Sequence, residues 1–407
     1  MMTPNYTPKT NHRRLKRRRY FNRQFVLIAV LIVVSASCVG LAGYFYGQHR
    51  AKTLDQQFYQ QQLKKQRRQA QITTQKTKNL SLANFFQAQL NAIAQKNHYL
   101  GTAEIVYHNQ VVATWVDGYA NFAQQQANTL NTGFEINSLQ KGMTGTLLMQ
   151  QVALGRVALT DQLSRYYPTV PGADQITLRE LLNMTSGLST PHGFTNPQIV
   201  TDQQLIKNDI AKTIYNPQMH HKWHYQAINF ILIAGIIEKV SHQTYSQLFQ
   251  KQIIDKLHLK HTAFAYALPE NYQRATGYYF KKGTDPATPY LKPALTTAAQ
   301  QHSELGTGQV YMSIHDLYQV EKSMLNGKLS KLHQQLFVDG STSHYGGGYY
   351  SYPIYKSVNG AGSGFESRVH ISPDGQTALV LLANVTSSRT NMDGMSKQLD
   401  QLLFPTK

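Results

Sequence analysis

The sequence predicts an α+β protein: an antiparallel sheet flanked by helices, joined to a mostly helical second lobe and preceded by one transmembrane helix. Three observations carry this. A charge-free apolar run, residues 25–47, lies near the N-terminus. Alternating apolar segments that read as paired strands stand near residues 99–119 and again near 364–383. Between them, residues 147–336 show mainly helical periodicity and loops. Terminal sheet segments that enclose a helical insertion imply two lobes with a cleft between them.

The anchor comes first along the chain. Twenty-three residues (FVLIAVLIVVSASCVGLAGYFYG) rising about 1.5 Å each as a helix cover the roughly 30 Å hydrocarbon layer. Lys9, Arg13, Arg14, Lys16, Arg17, Arg18, Arg19 and Arg23 precede it. The positive-inside rule therefore assigns residues 1–24 to a cytoplasmic basic tail and everything after residue 47 to the outside. The apolar run continues past Ser35-Ala36-Ser37-Cys38, longer than the core of a cleavable signal. Ser35 also stands where lipid attachment at Cys38 would want a large aliphatic residue. A retained single-pass anchor is the expectation.

Residues 48–78 are rich in Gln, Lys and Arg and hold too few apolar side chains to bury a face, so they read as a spacer. The charge follows this division. Of the net +19, residues 1–78 contribute 16 Lys/Arg against one acid, Asp55, while the rest holds 24 basic against 20 acidic residues. The globular part, residues 79–407, is therefore no polyanion binder, and nucleic acid is excluded as a partner. The cationic spacer would instead be drawn to anionic envelope polymers or lipid head groups. A lone cysteine, Cys38, rules out an intrachain disulfide and a thiolate metal cluster.

The globular part opens with helical spacing at Leu82, Phe85, Phe86, Leu90, Ile93 and Ala94. Residues 99–107 and 111–119 then read as a hairpin turning at His108-Asn109-Gln110. At the other end, residues 364–372 and 376–383 are strands joined by Pro373-Asp374-Gly375. An amphipathic helix through Met395, Leu399, Leu402 and Leu403 follows.

The candidate chemistry starts at Ser138-Leu139-Gln140-Lys141. Three residues apart, a hydroxyl and an ammonium share one face if a helix begins here and continues through Met143, Leu147, Leu148 and Val152. A serine hydroxyl is a poor nucleophile until a neighbour takes its proton, and a desolvated lysine can do so. Free N–H groups at the helix start would stabilise charge on an attacked carbonyl. Spacing alone favours the plainer reading, a surface serine beside a solvated lysine.

The surrounding sequence adds more. Residues 134–141 (FEINSLQK), 154–161 (LGRVALTD) and 176–188 (ITLRELLNMTSGL) occur in order. Over roughly residues 80–405 the chain resembles the β-lactamase-like serine hydrolases, which include class C β-lactamases, penicillin-binding-protein-like DD-peptidases and serine esterases. The resemblance implies a β-lactamase/transpeptidase-like fold, Ser138 as nucleophile and Lys141 as its base. It also implies that Tyr225, in His224-Tyr225-Gln226-Ala227, relays the proton between nucleophile and leaving group. It places Gly360 close to the substrate, so that the Ala361 and Ser138 N–H groups form an oxyanion hole. No cofactor and no metal are implied.

Two departures bear on substrate. Ala227 replaces the Asn that binds a substrate amide in the family, and Asn229, two positions on, should point elsewhere. Val358 replaces the Lys or His that helps bind a free carboxylate, with Lys356 or Arg368 as possible substitutes. His220, His221 and His224 have helical spacing suited to zinc, but no carboxylate accompanies them in the sequence, so a solvated histidine patch is expected. The glycines at 360, 362 and 364 lead into a strand and are no dinucleotide loop.

The resemblance and its departures together imply an extracytoplasmic acyl-enzyme hydrolase acting on a cell-envelope polymer, teichoic acid or peptidoglycan. The leading expectation is D-alanyl ester hydrolysis on (lipo)teichoic acid. A DD-carboxypeptidase or β-lactamase, or an inactive wall-binding protein that keeps the fold, are the rivals.

Overall fold

The structure is a computed structural model that describes residues 12–191, 198–279, 289–290, 292–340, 342–386 and 392–405. Residues 1–11 of the expected basic tail lie outside the described residues. The chain divides into two units, Met1–Leu80 and Ser81–Lys407.

The first unit is helical from His12 onward, within a helix whose bounds are His12–Lys96. The segment read as a spacer is thus helical throughout, which suits its Gln, Lys and Arg, all good helix formers. Among the described residues, Arg23–Arg50 is the one stretch long and apolar enough to cross a bilayer. Its apolar side chains, among them Leu27, Leu31, Val33 and Phe45, are more than half exposed.

The second unit is built on a seven-stranded antiparallel sheet. In spatial order its strands are Tyr345–Gly346, Tyr349–Ser351, Lys356–Gly362, Phe365–Ile371, Ala378–Ala383, Gly101–Tyr107 and Gln110–Asp117. The expected hairpins are its centre and edge. His108 and Asn109 turn the first with φ of 49° and 65°, in the left-handed region that Asn tolerates well. Chain ends meet mid-sheet, where Ala103 pairs with Leu381.

Every residue of Ala378–Ala383 is buried, because both faces of the sheet are covered. Leu379, Leu381 and Ala383 pack with Phe86, Leu90 and Ala94 and with Met395, Leu399 and Leu403 of the C-terminal helix Met392–Leu403. Ala378, Val380 and Leu382 join the main core, which holds the helices Gln140–Ala153 and Ile228–Ser241.

The helical region also contains sheet that the sequence reading did not separate out. Strand Val310–Met312 pairs with both Phe134–Glu135 and Thr262–Phe264, and Ser186–Ser189 pairs with Ile214–His220. These pairings matter for the site. The first sets residues 304–309 beside the chain that enters Ser138, and the second sets residues 184–186 beside the chain that leads to Tyr225.

Candidate active site

Ser138 sits in a short 3-10 turn, Asn137–Leu139, that feeds the buried helix Gln140–Ala153. The preceding residue, Asn137, has φ of 50°, so the chain makes a sharp left-handed turn immediately before the serine. Its side-chain amide donates to Glu135 O at 3.2 Å and to Gly362 O at 3.5 Å, tying the turn to both neighbouring strands.

Lys141 follows one turn later and is 3% exposed. Its Nζ donates to Ser138 Oγ at 2.9 Å and to Thr307 O at 3.4 Å. The same nitrogen lies 5.1 Å from the centroid of the Tyr225 ring. The lysine therefore touches the hydroxyl and lies over the Tyr225 ring. Tyr225 also packs in aromatic contacts with Trp223 and Tyr345.

The loop that supplies Thr307 is held by buried polar contacts. Gln140 Oε1 accepts from Gln309 N at 2.5 Å, and Thr144 Oγ1 donates to Gly306 O at 2.6 Å. These bonds lock the nucleophile helix to residues 306–309 and satisfy backbone groups that would otherwise be buried unpaired.

The strand Lys356–Gly362 completes the site. A methyl group built on Gly360 would collide with Ile136 O and approach Ser138 N to 3.0 Å, so only glycine permits this closeness. Val358, 1% exposed, shares the inner face with Gly360, whereas Asn359 and Ala361 face outward. Neither expected substitute for a cation at 358 lines the cleft. Lys356 is held by Ser351 Oγ at 2.8 Å and lies over the Phe337 ring, and Arg368 pairs with Asp393 and lies 3.8 Å from Glu366.

A cleft of about 390 Å³ opens at Ser138. Its wall includes Ala361, Gly362, Thr307 and two carboxylates, Glu135 and Glu304, but not Gly360, Lys141 or Tyr225. Burial chiefly, and then the nearby Glu304 charge, push Glu135 up to about 7, against a lowering hydrogen bond from Gln301. Glu304 is exposed and accepts from Thr307 Oγ1 at 2.9 Å.

The Beta-lactamase family profile matches residues 83–402, most of the chain. The chain belongs to the beta-lactamase family. It is a serine hydrolase, and relatives with hydrolase names agree. It is 30% identical over 307 residues to PbpX of Bacillus subtilis, which carries a penicillin-binding-protein name, covering 75% of each chain. It is 26% identical over 272 residues to the teichoic acid D-alanine hydrolase of Staphylococcus aureus, covering 65% of this chain and 66% of that one. The crystal structure of FmtA from Staphylococcus aureus superposes with a TM-score of 0.68 at 24% identity, covering 77% of this chain and 88% of that one.

Several residues beside Ser138 carry no signal along the sequence. Gln301, in the short helix Ala298–His302, and Glu304 and Thr307, in the loop after it, lie more than 160 positions beyond Ser138, with no local spacing to announce them. Asn229 is fully buried, where its Oδ1 accepts from Ser186 Oγ at 2.6 Å, so it is structural, as its register suggested.

The histidine reading needs two corrections. His220 ends a strand and His221 and His224 follow it, so the three do not have helical spacing. A carboxylate does accompany them: Glu180 Oε1 lies 3.0 Å from His220 Nε2 and 2.7 Å from His221 Nδ1. Strand pairing brings it there from forty positions away, which sequence spacing cannot show.

Proposed function

We propose that this chain is a membrane-anchored, extracytoplasmic D-alanyl esterase that removes D-alanine from (lipo)teichoic acid through an acyl-enzyme on Ser138. The observation that carries this reading is the charge of the cleft. Two carboxylates, Glu135 and Glu304, line it beside Ser138, and Val358 stands where a carboxylate-binding cation is expected. A D-alanyl ester has its carboxyl consumed in the ester and brings a free ammonium, which such a wall attracts. D-alanyl-D-alanine and β-lactams bring a free carboxylate, which it repels. The relative named as a teichoic acid D-alanine hydrolase supports the same choice.

In this reading Ser138 Oγ bonds to the ester carbonyl carbon while Lys141 Nζ, 2.9 Å away, takes its proton. The oxyanion is received by the N–H groups of Ser138 and Ala361, which Gly360 allows to converge. Tyr225 passes the proton to the polyol oxygen as the ester C–O bond breaks. Water then enters by the reverse sequence and frees D-alanine, restoring the serine hydroxyl. The exposed apolar stretch Arg23–Arg50, with its cationic N-terminal flank, supports a tether that keeps this cleft near a lipid-linked polymer.

The test is intact-mass analysis of the detergent-solubilised chain after exposure to D-alanylated lipoteichoic acid or to penicillin, with free D-alanine measured in parallel. Wild type should release D-alanine and Ser138→Ala should not. Rapid, stable labelling of Ser138 by low-micromolar penicillin, without D-alanine release, would instead identify a DD-peptidase or β-lactamase.

A further inference from the structure

The histidine pair ahead of Tyr225 takes no part in this reaction, and its surroundings have the chemistry of a metal site. Glu180 is the third residue of a capping box. Its Oε2 accepts from Thr177 N and Thr177 Oγ1, each at 2.8 Å, which leaves Oε1 to face the histidines.

The ring of His220 is nine-tenths covered. Tyr215 Oη donates to Gln175 Oε1 at 3.1 Å and lies 3.1 Å from His220 Nδ1. When the phenol gives its proton to Gln175 it accepts from Nδ1–H of His220, and in that tautomer the Nε2 lone pair faces Glu180. Nε2 is buried and has no aligned hydrogen-bond partner, despite lying 3.0 Å from the carboxylate oxygen. Two acceptors so placed repel unless a proton or a metal cation lies between them. A second imidazolium does not supply it comfortably, because the His220 and His221 rings stack with centroids 3.9 Å apart and 20° between planes.

We propose that Glu180 Oε1, His220 Nε2 and His221 Nδ1 bind a zinc-class divalent cation, with water completing the shell on the exposed side of His221. The three donor atoms lie within 4.8 Å of one another. Bonds of about 2.0–2.1 Å in a tetrahedron set donors about 3.3 Å apart, so the separations of 3.0 and 2.7 Å between Glu180 and the two histidines need to open by about 0.3 and 0.6 Å. The Gln175–Tyr215–His220 chain is the outer shell that fixes the ligand tautomer.

The site's place suggests what it does. His221 N donates to Thr185 O and His224 N to Met184 O, each at 2.8 Å, and Tyr225 follows directly. A metal ion here fastens the helix bearing Glu180 to the root of the segment that presents Tyr225. It positions that segment and takes no part in the chemistry.

The experiment uses the full-length chain in detergent, first stripped with chelator. Co²⁺ is added and the visible spectrum read, then Zn²⁺ is titrated in competition and the thermal midpoint followed. The expected result is one tetrahedral Co²⁺ band displaced by one equivalent of Zn²⁺, and a zinc-dependent rise in midpoint. His221→Ala, which alters an exposed side chain, and Glu180→Gln, which keeps the capping box, should each weaken zinc binding by about tenfold or more. Tyr215→Phe should weaken it by about tenfold through the tautomer. Equal zinc affinity and equal thermal shift in wild type and His221→Ala, or no zinc response in wild type, overturns the proposal. The readouts are spectroscopic and thermal, so they stand whatever the enzyme's substrate proves to be.

Discussion

Gly360 and Ser138 are packed so closely that a methyl group on the glycine would lie 3.0 Å from the serine amide nitrogen. This contact joins the third strand of the large sheet to the turn that carries Ser138. Gly360→Ala must push that turn aside. The expected outcome is a loss of about 1–3 kcal/mol in chemical denaturation. Ester turnover should fall roughly 100-fold, because a small displacement of reacting groups is costly.

Chemistry and binding should separate cleanly by residue. Ser138→Ala or Lys141→Ala should lower kcat by about 10⁴-fold, and the double variant by little more, since the two act as a unit. Tyr225→Phe keeps the ring against Lys141 but removes the relay oxygen, and should lower kcat by about 10²- to 10⁴-fold. Steady-state kinetics on a chromogenic ester check all three.

On the proposed esterase reading, Glu304 meets the ammonium of the substrate. Glu304→Gln should raise KM for a D-alanyl ester by roughly five- to tenfold and leave an acetyl ester of the same alcohol unchanged. Glu135 sets a pH dependence on the same contact. Its carboxyl is raised to about 7, so its charge is lost as pH falls through that value. KM for the D-alanyl ester should therefore rise below about pH 7, and Glu135→Gln should remove that limb of the profile. Equal effects on the acetyl ester would sink the ammonium assignment.

Glu321 controls stability from beneath the nucleophile helix. It is wholly buried, contacts the Tyr349 hydroxyl, and burial raises it from 4.5 to about 8. Tyr349 in turn packs on Gly142, beside Lys141. A raised carboxyl is held neutral by the fold, so its contribution is complete below about pH 4.5 and is lost as pH climbs through about 8. Thermal midpoints should fall across that window, and Glu321→Gln should flatten the slope.

Much of this was legible along the chain because it is local. Ser138 and Lys141 meet through helical spacing, the two hairpins turn where His108-Asn109 and Pro373-Asp374-Gly375 stand, and the apolar run near the N-terminus needs only its own length. The strands at 134–135, 262–264 and 310–312 were not legible. They are two or three residues long and buried on both sides, so they show no alternation to set them apart from helix.

Charge partition, the anchor-length helix and the Ser-x-x-Lys pair are properties of composition and near-neighbour spacing, and the order of residues determined them; the loss of a cation at Val358 was implied by the family resemblance. The Thr307 carbonyl on Lys141, the acidic wall of Glu135 and Glu304, Gly360 against Ser138, and Glu180 between two histidines were decided only on folding. Each joins segments 40 to more than 200 positions apart. Such contacts are fixed by strand register and buried packing, and neither leaves a periodic trace in the sequence.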